Sequence, residues 1–155
     1  MIKANVILDH YKWKSKIKNP NNYFKKKLDK LNKIKSFKKK NYEFSVLLTN
    51  NKKMKSLNFK FRKKNKPTDV LSFPLYKDLS RILELNRDHE EDLGDMFINR
   101  QIVKKQAQIY EKSFVDELQY IIIHGLLHLV GYSHENEKEL RKTEDKLMEV
   151  IWNGS

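Results

Sequence analysis

Apolar and polar residues alternate at two places early in the chain, at Ile2, Ala4, Val6 and Leu8 and again at Tyr42, Phe44, Val46 and Leu48. A period of two puts each set on one face of an extended segment, so both are expected to be half-buried strands. Between them, Asn19-Pro20 reads as an N-cap with proline at the first helical position, opening a basic helix that runs to about Ser36. After the second strand, Thr49 or Asn50 can cap a helix whose inward face is Met54, Leu57 and Phe61. Short strands are expected at Asp69 to Phe73 and Asp95 to Asn99, separated by a charged segment, Lys77 to Asp92, that reads as an exposed loop. Helices follow at about 100–111 and 115–130, and Asn136 with Glu139 reads as a capping pair for a last one. Leu118 to Val130 is apolar nearly all round, which suits a helix buried in the core. Without repeats or an interdomain linker, the pattern predicts one α+β domain over 1–155, a small mixed sheet packed with about five helices.

Size and composition narrow the class. A chain of 155 residues holds one respectable core and little more. It contains no cysteine, which excludes disulfides and thiolate ligands and suits a reducing cytoplasm, the expected location. No signal peptide is visible, and the longest apolar stretch, Ile121 to Val130, is interrupted by histidines and too short to span a bilayer. No membrane association is expected.

Charge changes the picture more. Residues 1–66 hold 22 Lys/Arg against three acids, and residues 67–155 hold 11 against 17, which together give the net +13. A basic half joined to an acidic half suggests a polyanion gripped by one and worked on by the other. The blander explanation is compositional: lysine (28) far outnumbers arginine (5), and runs such as Lys25-Lys26-Lys27, Lys38-Lys39-Lys40 and Lys52-Lys53 also suit plain solvated faces.

The chemistry concentrates in Ile123-His124-Gly125-Leu126-Leu127-His128-Leu129-Val130-Gly131-Tyr132-Ser133-His134. On a helix, His124 and His128 lie only ~40° apart around the axis and point the same way. Gly131 offers the left-handed turn that ends a helix, and His134 follows three residues later. A lone histidine here would read as a core residue. Three at these spacings deliver neutral imidazoles to one point, as a single zinc ion with an open fourth position requires. H-x-x-x-H-x-x-G-x-x-H is also the ligand spacing of metzincin proteases, but their glutamate base follows the first histidine, and here that position is Gly125. The metal cage of a protease is present without its base.

A second segment precedes the third strand: Leu57-Asn58-Phe59-Lys60-Phe61-Arg62-Lys63-Lys64-Asn65-Lys66-Pro67-Thr68-Asp69-Val70-Leu71-Ser72-Phe73-Pro74. Arg62 stands out among the lysines because its planar fork grips phosphate bidentately and never loses its charge. By itself it reads more readily as a surface charge than as a catalytic group.

Taken together, these stretches resemble the YbeY family of bacterial endoribonucleases. Leu57 to Pro74 matches the run N-x-x-x-R-x-x-x-x-P-T-D-V-L-S-F-P, Leu93-Gly94-Asp95-Met96 matches L-G-D-I, and His124 to His134 matches H-G-x-L-H-L-x-G-Y-D-H. The resemblance implies one compact domain, one zinc ion on His124, His128 and His134, and catalysis or phosphate binding by Arg62. It further implies single-stranded ribosomal RNA as substrate, in small-subunit 3′-end maturation and ribosome quality control, with the ribosome or its proteins as partners. Ser133 departs from the family's aspartate, which would weaken any orientation of a neighbouring ligand. Asp69 and Glu135 are the carboxylates nearest the motifs; each reads as a general base or, more ordinarily, as a strand-end and first-turn residue. Two other classes share these features. A metallopeptidase would need a substitute base. A non-catalytic ribosome-binding protein with structural zinc would need a fourth protein ligand, and no further Cys or His lies near the motif.

Overall fold

Both alternating segments become strands, β1 (Ile2–Leu8) and β2 (Tyr42–Thr49), in a computed structural model that describes residues 1–33, 41–76, 91–132 and 137–152. They pair in parallel, with Ile2 opposite Tyr42 and Leu8 opposite Leu48. With β3 (Val70–Pro74) and β4 (Glu91–Asn99) they make a four-stranded sheet in the order β1-β2-β4-β3, mixed because β3 runs antiparallel to β4. Five helices are described: α1 (Pro20–Leu31), α2 (Asn51–Arg62), α3 (Arg100–Ile109), α4 (Phe114–Leu129) and α5 (Glu137–Trp152). No helix among the described residues is long and apolar enough to cross a membrane.

The caps explain where the helices begin. Asn19 accepts a hydrogen bond from the Asn22 amide ahead of Pro20, and Asn50, not Thr49, caps α2 by accepting from Lys53. Thr49 completes β2 instead, its hydroxyl donating to Asp9 Oδ2 at 2.8 Å. A 3₁₀ turn at Tyr11–Ser15, which periodicity did not anticipate, buries Trp13 completely and ties its indole N–H to the Thr49 carbonyl at 2.8 Å.

Three expectations are corrected. The basic helix ends at Leu31 instead of near Ser36: Asn32 turns its amide onto edge strand β1, accepting from Ile2 N at 2.7 Å and donating to Ile2 O at 3.1 Å. Phe61, expected inside, is 55% exposed and lies against Phe73, while the inward position goes to Asn58, 3% exposed, which donates to the Lys66 carbonyl at 2.8 Å. The fourth strand starts at Glu91, inside the expected loop, because Leu93 and Gly94 together stand opposite Phe44 and hide the alternation in a bulge. Gly94 has φ +116°, and a Cβ there would lie 2.1 Å from the Phe73 carbonyl oxygen. Residues 34–40, 77–90 and 133–136 lie outside the described residues, and with them the Lys38–Lys40 run, most of the expected loop, and Asn136 of the expected capping pair.

One sheet face carries the core. Ile2, Phe44, Val46, Leu48, Met96 and Ile98 meet Phe24, Leu28 and Leu31 from α1 and the apolar residues of α4. Ten of the sixteen residues of α4 are buried, so packing on nearly every side fixes its rotation. That rotation aims its histidines.

Candidate active site

Helix α4 lies flat on the sheet where glycine lets it. A Cβ at Gly125 would sit 2.8 Å from Met96 Cε and 3.2 Å from Ser72 Oγ, and that hydroxyl donates to the Gly125 carbonyl at 3.1 Å. Gly125 therefore faces the sheet. A carboxylate at the position that carries the base in metzincins would have to displace the end of Met96 and be buried against the sheet, and Gly125→Glu is expected to lower stability by about 2–4 kcal/mol, chiefly through burial of a charge. Denaturant unfolding measures it, and a variant within ~0.5 kcal/mol of the parent would contradict the packing argument.

His124 and His128 are the half-buried members of an otherwise buried run from Ile121 to Val130, and both line one cavity. Their rings stand 4.6 Å apart at 72°, with the two Nε2 atoms 3.1 Å from each other. Two nitrogens on one tetrahedral zinc are about 3.3 Å apart, given Zn–N bonds of about 2.0–2.1 Å. Behind His124, its Nδ1 pairs with Glu144 Oε1, and Glu144 is 2% exposed. An Nδ1–H held by a buried carboxylate leaves Nε2 with its lone pair toward the cavity, the tautomer a metal ligand needs. The phenol of Tyr120 donates to the other Glu144 oxygen at 3.2 Å and its ring stacks on His124. Burial first, and Glu144 second, push the Tyr120 phenol up to about 12, so it stays a donor at neutral pH. The donor set thus fits a zinc ion. Gly131 turns with φ +104° as expected, while His134 lies outside the described residues, as do Ser133 and Glu135.

The cavity measures about 720 Å³ and lies beside β3, the outer strand of the sheet among the described residues, walled by Val70, Ser72 and Pro74 on one side and by the histidines, Gly131 and Tyr132 on the other. Arg62, the last residue of α2, closes it together with Thr68 and Asp69. Residues far apart in sequence therefore share one wall system, an imidazole pair and an arginine lining the same cavity. Asp69 precedes the strand it was expected to begin, and its carboxylate is occupied: Oδ1 accepts from the Val70 amide at 2.7 Å and the Thr68 hydroxyl at 3.2 Å. With the Gln106 amide turned nitrogen-inward, that nitrogen donates to Asp69 Oδ2 at 3.2 Å and to Glu117 Oε1 at 3.3 Å. Burial raises the Glu117 pKa, with Lys112 opposing the shift.

Sequence reading missed Glu144 and Tyr120. The signal was present in α5, where Leu140, Glu144 and Leu147 share one buried stripe and the middle member is a carboxylate. A glutamate on a core face needs a partner, and His124 is that partner.

A sequence profile described as Endoribonuclease YbeY matches residues 8–152. Endoribonuclease YbeY of Pelagibacter ubique is 38% identical over 154 residues, 97% of each chain. That of Buchnera aphidicola is 38% identical over 130 residues, covering 81% of this chain and 77% of its own, and that of Bartonella bacilliformis is 39% identical over 109, covering 70% and 66%. A Thermotoga maritima protein solved in solution superposes with TM-score 0.65 at 27% identity, over 99% of this chain and 91% of its own.

Proposed function

The chain belongs to the YbeY family of endoribonucleases, and from that premise we propose a zinc-dependent enzyme that cleaves single-stranded ribosomal RNA in the cytoplasm. Its task is small-subunit 3′-end maturation and ribosome quality control, and the ribosome or its proteins are its partners. The observation that carries the chemistry is the pair of converging Nε2 atoms, backed by buried Glu144 and facing the same cavity as Arg62.

His124, His128 and His134 would hold the metal. Held by three neutral ligands, zinc would supply Lewis acidity toward a phosphoryl oxygen and would lower the pKa of water toward neutrality. The protein does the rest. Glu144 fixes the His124 tautomer, Tyr120 fixes Glu144, and Arg62 holds non-bridging phosphate oxygens with its fork and stabilises the charge that grows on them. Asp69, with both oxygens engaged, is a positioning residue for the 68–70 wall rather than a base. Gly125, pressed onto Met96 and Ser72, argues against a peptidase.

Incubating the protein with a 5′-labelled single-stranded RNA and, separately, with a labelled peptide tests this reading. RNA cleavage is expected, lost on chelation and restored by zinc, with the peptide intact. Peptide hydrolysis without RNA cleavage would overturn it.

A further inference from the structure

Beside the histidine cavity lies a smaller recess of about 290 Å³, which shares Arg62, Thr68 and Asp69 with it and adds Lys64 and Lys66. We infer that this recess is a second phosphate subsite, which holds the backbone phosphate next to the one being cleaved. The inference rests on the reading of the chain as an RNA-cleaving enzyme.

The subsite is built rather than merely basic. Lys63 ends α2 in the left-handed conformation, φ 57°, and its amide donates to the Phe59 carbonyl at 3.0 Å. The Lys64 amide then donates to the Asn58 carbonyl at 3.3 Å, and the buried Asn58 side chain donates to the Lys66 carbonyl at 2.8 Å. One asparagine thus fastens both ends of the basic loop to the helix, and Pro67 stiffens its exit. Lysines on a fastened backbone lose less freedom on gripping a phosphate than lysines on a loose one.

The charge balance favours an anion. Arg62, Lys64 and Lys66 share the recess with one carboxylate, Asp69, whose Oδ1 already accepts from Val70 and Thr68 and whose Oδ2 accepts from Gln106 with that amide turned nitrogen-inward. No aromatic side chain lines the recess among the described residues, so base stacking is not its use. Its shared wall with the histidine cavity points to a ligand with successive phosphates, hence a nucleic-acid strand running through both.

Other lysines serve a different purpose. Lys25 is paired with Asp29 at 2.7 Å, and α1 packs on β1, the sheet edge opposite the cavity. Three strand spacings of about 4.8 Å separate β1 from β3, more than the Debye length of about 8 Å at physiological salt. The α1 lysines therefore supply only a screened, long-range field.

Two double variants that remove equal charge separate the two roles, Lys64→Gln/Lys66→Gln and Lys25→Gln/Lys26→Gln. Binding of a short, fully 2′-O-methylated single-stranded RNA is followed by fluorescence anisotropy across a salt series. The loop pair is expected to weaken binding at least about tenfold and to flatten the salt slope by roughly 0.7, the contribution of the one phosphate that is no longer neutralised. The α1 pair should weaken it less than about threefold. In the parent, one methylphosphonate flanking the scissile linkage should reproduce the loss, and in the loop variant that same methylphosphonate should add nothing. Lys64→Arg/Lys66→Arg should keep parental affinity, which guards against misfolding as the cause. Equal losses from the two glutamine pairs, or a flat methylphosphonate scan, would overturn the subsite alone. A parent that fails to bind RNA would overturn the proposed function and the subsite with it.

Discussion

A protein carrying His128→Ala is expected to lose its zinc, keep its fold, and cleave RNA at least about a thousandfold more slowly, ~4 kcal/mol in transition-state stabilisation. His128 is half-buried at the cavity wall, and its ring meets the His124 ring there. Removing it takes away one of the converging nitrogens and leaves the core intact. His124→Ala should cost the same activity and also stability, because it strands Glu144, 2% exposed, without its imidazole. A buried acceptor left unsatisfied costs about 1–3 kcal/mol. Glu144→Gln keeps the shape and loses the charge, so metal affinity should fall about 10–100-fold, the usual effect of losing the carboxylate behind a ligating histidine. Metal content after dialysis, thermal unfolding and single-turnover cleavage read these effects. His128→Ala with a full equivalent of metal and the parental rate would remove the assignment. His134→Ala that keeps full occupancy would reduce the site to the two imidazoles of α4.

Arg62→Lys is expected to leave RNA affinity nearly unchanged and to slow cleavage by roughly one to three powers of ten, or ~1.4–4 kcal/mol. Lysine keeps the charge but loses the rigid fork that matches two phosphate oxygens at once. Affinity holds because Lys64 and Lys66 stand in the adjoining recess and the basic half supplies long-range attraction. Single-turnover rates at saturating protein, with metal content matched, distinguish catalysis from steering. Equal rates in parent and variant would make Arg62 one more steering charge and leave the metal as the only assigned catalytic element.

Local order decided how much could be read without the structure. The alternations at 2–8 and 42–48, the Asn19-Pro20 cap and the near-continuous apolar run of α4 are short-range signals, and each produced the element it predicted. The family motifs were legible for a related reason. His124 and His128 sit four apart on one helix, so helical geometry alone aligns them. Gly131 likewise adopts the positive φ its place after the helix required.

What the sequence could not express was which distant segments meet. Phe61 is exposed and lies against Phe73, while Asn58 is buried to hold the Lys66 carbonyl, a polar demand that a hydrophobic pattern does not register. The β4 bulge at Gly94 broke the alternation that would have marked the start of the strand, and the glycine itself is required there because a Cβ would meet the Phe73 carbonyl of the neighbouring strand. Glu144 reads as an ordinary helical glutamate until α5 packs on α4 and sets it behind His124. Residue type and spacing determined by themselves that imidazoles would converge and that an arginine lay beside a fixed turn. Only the order β1-β2-β4-β3, which sets β3 outermost among the described strands and next to α4, put that arginine in the same cavity as the imidazoles. Strand order depends on burying the faces of all the elements at once, and no local window of the chain contains that sum.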